Sequence, residues 1–373
     1  MRVTCLVAVW SIFLLPAAHG SPVVHTLVRE ARSKGPLPIE RAGMWGYIDH
    51  AGKITIPTTF DSARCFYEGL AAVEVKGKWG FIDINGKSII PTRFTSVQDF
   101  SDGMAGVFID SSAVNQGLYG YIDVKGQIVV KCSAACGRPY NEGKMADAVE
   151  VFRCEDSSGK ITQQEYPCVG AHAVQVDRWG YYDKSGKLAF SSLFKAGLGR
   201  FAEGLAAVQP DGAGKMGYID GNANMTIAYQ FDRAEAFSEG LAAVRLGDKW
   251  GFIDHQGKVV IPPQFESVSH FSDGYAMITL FEKAGYVDST GHITIPPQYS
   301  DATPFSEGLA AVCCVGGSTG YIDKNGSFVI PVRYPGARVG GPFSEGVALV
   351  FMNGGGAYID RSGKVIALVN GKR

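Results

Sequence analysis

Lys249-Trp250-Gly251-Phe252-Ile253-Asp254-His255-Gln256-Gly257-Lys258-Val259-Val260-Ile261-Pro262-Pro263 is the stretch that decides the fold of this chain. An apolar segment ends in an acid, and Gly257 then offers the positive φ that a tight hairpin demands. A second apolar segment follows, and Pro262 and Pro263, which cannot donate to an interior ladder, read as its stop. Strand alternation puts Trp250 and Phe252 on one side and Ile253 on the other. Both faces are therefore apolar, whereas a sheet wetted on one side would carry a polar residue at every second place. Such hairpins must be covered on both faces.

The core recurs along the chain. It spans Trp45 to Asp49, Trp79 to Asp83, Tyr119 to Asp123, Trp179 to Asp183 and Met216 to Asp220, and after the quoted copy Ala284 to Asp288, Thr319 to Asp323 and a degenerate Gly356 to Asp360. Its closing Asp returns every 34 to 40 residues, except for a gap of 60 between Asp123 and Asp183. After each hairpin comes an aromatic (Phe60, Phe94, Phe231, Phe265, Tyr299, Tyr334), then a loop, then Phe-Ser-Glu-Gly-Leu-Ala-Ala-Val, clearest at Phe237 to Val244 and Phe305 to Val312. That last element reads as the start of a third strand, bending at a linker such as Gly247-Asp248 before the next core. No helical period competes.

The expected fold is all-β, a tandem array of about nine antiparallel units of roughly 35 residues, stacked face to face. Propellers typically close with ~4–8 blades, so an open superhelical stack is the expected arrangement and a β-propeller the alternative. Residues 1–20 read as a signal peptide, 21–42 as a lead-in, 43–369 as the array with a Cys-rich irregular insertion at about 131–175, and 370–373 as a tail. The signal reading rests on Arg2, the apolar run Val3 to Leu15, Pro16, and the small residues around Ala18-His19-Gly20. That run is shorter than the ~20 residues a spanning helix needs. A secreted or periplasmic location is therefore expected.

Lys78-Trp79-Gly80-Phe81-Ile82-Asp83 and Lys249 to Asp254, each followed by Gly-Lys and Ile-Pro, resemble the WG-repeat (KWG) family, as does the Phe-Ser-Glu-Gly-Leu-Ala segment. The resemblance runs from about Gly43 to Lys364 and implies a β-rich interaction array with no general activity to carry over. Ala284, Thr319 and Gly356 depart from it by lacking the Trp. A row of Trp45, Trp79, Trp179 and Trp250 could be stacking platforms for a flat ligand. Replacement by Tyr119, Met216, Ala284 and Thr319 in other copies favours packing between units instead.

Charge excludes one class of partner. The 35 basic and 36 acidic residues nearly cancel, without the clustered Lys and Arg that phosphates require. No G-x-S-x-G, Walker loop, dinucleotide fingerprint or H-E-x-x-H occurs. The histidines are not at ligand spacings, and His50 and His255 share a turn position that reads as exposed loop. Recurrent Asp and Glu carboxylates point to a structural task, each accepting backbone N–H groups within its own turn. Asp83 to Gly86 resembles a calcium loop but lacks the further acids. No cofactor, metal site or catalytic residue is expected.

Four cysteines cluster at the insertion: Cys132, Cys136, Cys154 and Cys168. In an exported chain they most simply make two disulfides, with three connectivities open. Their spacing lacks the paired knuckles of structural zinc. Cys65 reads as a buried thiol, and Cys313 and Cys314 as small hydrophobes of one strand. Asn224 and Asn325 head sequons and are possible glycosylation sites in a eukaryotic host. The expected function is non-catalytic binding or scaffolding of a protein or glycan outside the cytoplasm, with the insertion from about Phe152 to Val169 as first candidate for contact. A passive envelope or matrix component and a hydrolase with an unrecognised site are the other two readings.

Overall fold

The computed structural model describes residues 35–109, 118–132, 144–155, 161–162, 172–185, 187, 189–190, 198–210, 214–313, 318–335, 339–352 and 355–370. The signal-peptide expectation lies outside them, as does most of the lead-in. The described residues form nine antiparallel sheets and no helix, so none is long and apolar enough to cross a membrane. The all-β array of face-to-face units stands.

Sheet six shows the plan. Its strands, in spatial order, are Arg233–Ala234, Ala242–Leu246, Lys249–Ile253 and Val259–Phe265. Two details differ from the sequence reading. The loop before Phe-Ser-Glu-Gly holds a short extra strand, here Arg233–Ala234, so the unit has four strands rather than three. Leu246 pairs directly with Lys249, so Gly247-Asp248 is a tight hairpin inside one sheet rather than a linker between units. Each sequence repeat thus contributes two strands to one sheet and two to the next.

The last strand also runs on through Pro262 and Pro263 to Phe265. It is the sheet's outer edge, where a missing N–H leaves no ladder partner unsatisfied. Its register against the core strand shifts between Trp250 and Phe252, so Ile261 faces Phe252 and Phe265 faces Trp250 with extra residues bulged over Gly251. The bulge explains the glycine. A Cβ there would lie 2.4 Å from the Ile261 carbonyl oxygen, and Gly46, Gly80, Gly120, Gly217 and Gly285 meet the equivalent carbonyl at 2.4–2.6 Å. Lack of space, not a positive φ, requires glycine after the Trp.

The chain divides into two compact units, Met1–Arg93 with Tyr299–Arg373, and Phe94–Gln298. Inside the second, sheets pack in series. Tyr218, Ile227 and Phe231 of sheet five share a cluster with Ala234, Phe237, Ala242, Val244 and Ile253 of sheet six. Phe252, Ile261 and Phe265 then pack on Val268, Phe271, Ala276 and Ile278 of sheet seven. Each fully buried aliphatic or aromatic side chain contributes roughly 1.5–3 kcal/mol. Where the core carries a Tyr, it can add a directional tie. Tyr218 donates its hydroxyl to the Glu235 carbonyl at 2.7 Å, and Tyr181 to that of Gly199 at 2.7 Å, each time in the next sheet.

In the first unit the same packing joins the two ends of the chain. Leu37, Ile39 and Ile48 of the first sheet cluster with Val347, Leu349, Tyr358 and Val369 of the last. Tyr358 donates to the Pro38 carbonyl at 3.2 Å, the counterpart of Tyr321 donating to Gly341 at 2.9 Å one sheet earlier. Within this unit the first and last sheets therefore pack as sequential sheets do.

Candidate functional site

The largest recurring set of ionisable groups is the core aspartates. Each of the nine accepts, through Oδ1, the backbone N–H groups two and four residues on. At Asp49 these are Ala51 (2.9 Å) and Lys53 (2.8 Å), and at Asp254 Gln256 (3.0 Å) and Lys258 (2.9 Å). Asp83, Asp123, Asp183, Asp220, Asp288, Asp323 and Asp360 repeat the pattern. Turn closure thus takes one oxygen, Oδ1, of every core carboxylate. Asp83, first ligand of the calcium-like motif, is bound to its own loop in the same way.

Where Ser185, Thr290 or Ser362 stands two residues on, the carboxyl is held below its ordinary value. Ser185, Thr290 and Ser362 donate to Asp183, Asp288 and Asp360 at 2.6, 2.7 and 2.6 Å, and those bonds are the largest cause of the shift. A carboxylate with a depressed folded pKa stabilises above its unfolded value of about 4 and loses that contribution as pH falls through the folded value. We therefore expect urea midpoints to fall below about pH 4. Combining Ser185→Ala, Thr290→Ala and Ser362→Ala should flatten the fall, and an unchanged pH profile would count against it.

The Ser-Glu-Gly segments work differently from the sequence reading. Ser238 and Leu241 exchange backbone hydrogen bonds across Glu239 and Gly240, which both have positive φ, a two-residue hairpin of the primed kind. The Glu carboxylate does not close its own turn; it reaches the matching turn of the next sheet. Glu203 accepts from the Gly240 N–H (3.1 Å), Glu239 from Gly274 (2.8 Å) and Glu307 from Gly346 (2.9 Å). The residue after the core Asp of the next sheet adds a basic side chain. Lys184 meets Asp102 at 2.8 Å, His255 meets Glu203 at 3.1 Å, Arg361 meets Glu307 at 3.4 Å, and His50 of the first sheet meets Glu345 of the last at 3.6 Å. His255 also stacks on Phe237 at 4.3 Å. His50 and His255 are thus inter-sheet partners rather than idle loop residues. Their pairing was hidden because each partner belongs to a different repeat.

Among the described residues no group of three or more His, Cys, Asp or Glu side chains gathers as a metal set. An open depression of about 520 Å³ is lined by Gly35, Pro36, Asp49, His50 and Glu345. Its Asp49 is committed to its turn and its His50 to Glu345. Glu235, just after the short strand Arg233–Ala234, is raised above the ordinary carboxylate range by burial, against the pull of Arg233 and Arg200.

The tryptophans are packing residues. Trp45 and Trp250 are half-buried against the clusters of their sheets, and Arg64 lies 4.8 Å over the Trp79 ring. Met216, Ala284 and Thr319 fill the same slot buried. The Trp179 side chain lies outside the described residues.

The insertion is more regular than expected. Lys144–Glu155 and His172–Asp183 form one long antiparallel ribbon, with Ile161–Thr162 paired to its tip. Sheet six turns after Leu246↔Lys249, the counterpart of Val149↔Arg178. Beyond that point the ribbon adds pairs from Glu150↔Asp177 to Glu155↔His172, a projection of roughly 20 Å at ~3.3 Å per residue. Alternating strand residues hide this at sequence level, because the excess length reads as a loop.

Cys132 and Cys154 lie on strands whose side chains are not described there, and Cys136 and Cys168 lie outside the described residues, so their pairing is untouched. Cys65 is disulfide-bonded, which corrects the thiol read from the sequence. Cys313 is buried, as expected of a small hydrophobe. Asn224 and Asn325 are exposed at hairpin turns, the former donating its amide to Asp220 at 3.0 Å.

Comparison with known proteins agrees with this geometry. The profile of a WG containing repeat matches residues 45–79, 79–111, 179–212, 216–250, 250–280, 285–317 and 320–355, more than half of the chain. No curated protein matches in sequence. Among solved structures, a eukaryotic initiation factor is 13% identical with TM-score 0.58, covering 89% of this chain and 94% of that one. BamB from Moraxella catarrhalis is 8% identical with TM-score 0.41 (88% and 94% covered), and the C-terminal WD40 domain of Sif2 is 11% identical with TM-score 0.35 (69% and 78% covered). At such identities the likeness concerns the fold alone.

Proposed function

The chain belongs to the WG-containing repeat family, and on that premise we propose that it is a non-catalytic binding scaffold, acting outside the cytoplasm on a protein or glycan partner. The ribbon of Lys144–Glu155 and His172–Asp183 carries the reading. Sheet six turns after Leu246↔Lys249, whereas this pair of strands continues to Glu155↔His172. Length that a repeat does not need is where a regular scaffold places recognition. The recurrent carboxylates support the same view, since one oxygen of each core Asp closes its turn and Glu203, Glu239 and Glu307 hold turns of neighbouring sheets. The extracytoplasmic location rests on the N-terminal Arg2 to Gly20 pattern.

Deleting residues 152–169 from the full chain tests this. We expect the thermal midpoint to stay close to wild type and binding of the partner, captured with wild-type chain as bait, to be lost. No partner captured by the wild-type chain, with the deleted chain behaving as wild type, would reduce the protein to a passive structural component. Turnover of a glycan or peptide substrate abolished by a single carboxylate substitution would replace the reading with an enzyme.

A further inference from the structure

Beyond its sheet, the ribbon of Lys144–Glu155 and His172–Asp183 has a backbone edge whose hydrogen-bonding groups can be placed residue by residue. In an antiparallel pair, alternate residues of a strand turn their N–H and C=O groups towards the partner strand and away from it. Two bonds fix the outward set in sheet four. The Ala189 N–H reaches the Tyr181 carbonyl at 2.7 Å, and the Asp183 N–H reaches the Lys187 carbonyl at 2.8 Å. Odd-numbered residues of His172–Asp183 therefore face away from Lys144–Glu155. The register runs from Lys144↔Asp183 to Glu155↔His172 without a shift, so the alternation carries on to Asp177, Gln175 and Ala173. Among the described residues no strand lies along these three. Their outward N–H and C=O groups form a row that repeats about every 7 Å.

Open edges of this kind are a liability that proteins blunt with proline, charge or bulges. Five of the outer strands in this array carry a proline, at Pro57, Pro91, Pro262, Pro296 and Pro331. His172-Ala173-Val174-Gln175-Val176-Asp177 has no proline, no lysine and no bulge. The opposite edge of the ribbon shows what such a row takes. There Ile161–Thr162 lies along Glu155 and Cys154 as an extended piece of backbone.

We propose that the edge at Ala173, Gln175 and Asp177 binds an extended polypeptide segment of a separate protein, which joins the ribbon as an added strand. The row of donors and acceptors matches an extended peptide backbone, whose own N–H and C=O groups recur at the same spacing; sugar hydroxyls have no such repeat. A second copy of this chain fits less well. The self-pairing that uses all three residues centres on Gln175 and sets His172 opposite Arg178 at both ends, basic beside basic. The inference rests on the binding-scaffold reading and narrows its partner from protein or glycan to an extended peptide.

Backbone substitutions separate the two claims. Dodecapeptides displayed on phage are selected on the immobilised full chain, and the recovered sequences are synthesised. We expect a selected peptide to bind wild-type and Gln175→Ala chains alike, and Gln175→Pro chain about tenfold less tightly or worse, because proline removes an outward N–H that only the added strand uses. N-methylation of alternate peptide residues should abolish binding in one phase and spare it in the other, since only every second residue of an added strand faces the ribbon. Gln175→Pro should leave the thermal midpoint close to wild type, whereas Val176→Pro, whose N–H faces Val151, should lower it. Equal binding by the Gln175→Pro chain, indifference to N-methylation, or a midpoint lowered as far by Gln175→Pro as by Val176→Pro overturns the edge site and leaves the scaffold reading standing. So does a wild-type chain that sediments as a dimer and becomes monomeric on Gln175→Pro. An array of immobilised glycans that binds the chain where no peptide does has the same result; binding of neither overturns both.

Discussion

Gly251→Ala destabilises the protein by about 3 kcal/mol, at the upper end of what one added methyl costs in a packed interior. The reason is the identity of the atoms it meets. An added Cβ would sit 2.4 Å from the Ile261 carbonyl oxygen and 2.7 Å from the Pro263 nitrogen. Both are backbone atoms of the outer strand, so no side-chain rotation can make room. Relief requires moving the bulge that sets Trp250 opposite Phe265, and that would disturb the cluster shared with sheet seven. Gly240→Ala is the control, since it has open space around it but φ +84. It should cost only the ordinary ~1 kcal/mol of a left-handed alanine. Urea unfolding followed by tyrosine and tryptophan fluorescence reads both as midpoint shifts at constant slope. Equal costs at the two glycines would refute the crowding argument, and Gly217→Ala, at 2.4 Å from the Ile227 carbonyl, offers an independent repetition.

Much of this was legible in the sequence, and what was missed has a common physical cause. The nine cores, their hairpins and the Asp closures follow from local pattern, because donor and acceptor lie within four residues of each other. The apolar residues on both faces of Leu241-Ala242-Ala243-Val244 correctly required sheets on both sides. The short strand Arg233–Ala234 escaped because two residues carry no period. The function of the Trp-Gly glycine escaped because its neighbour is a carbonyl ten residues on, across a bulge. The partners of Glu203, Glu239 and Glu307 escaped because they lie 35 to 39 residues away, one repeat further. Interactions between repeats are invisible to any reading that treats repeats singly. That the first and last sheets pack together escaped for a related reason: whether they meet depends on the twist between sheets, which residue patterns within a sheet do not encode.

The meeting of the ends makes the second large prediction. Tyr358→Ala should cost about 3–5 kcal/mol, the usual range for truncating a fully packed aromatic. Its ring lies in the cluster of first-sheet Leu37, Ile39 and Ile48 with last-sheet Val347, Leu349 and Val369, and burial pushes its phenol well above the ordinary range. Tyr358→Phe keeps the ring and leaves the Pro38 carbonyl without this donor, so about 1 kcal/mol is expected. Phe81 and Phe252 occupy the same core position in other sheets, which shows that a ring without the hydroxyl fits the site. Tyr321 is the internal standard, because it makes the equivalent bond to Gly341 between the eighth and ninth sheets. If the terminal sheets are packed like neighbours, Tyr358→Ala and Tyr321→Ala lower stability by similar amounts and each unfolds in one transition. In a stack with free ends, Tyr358 would face solvent. Its truncation would then cost a fraction of the Tyr321 value, with early loss of the last sheet as a separate step.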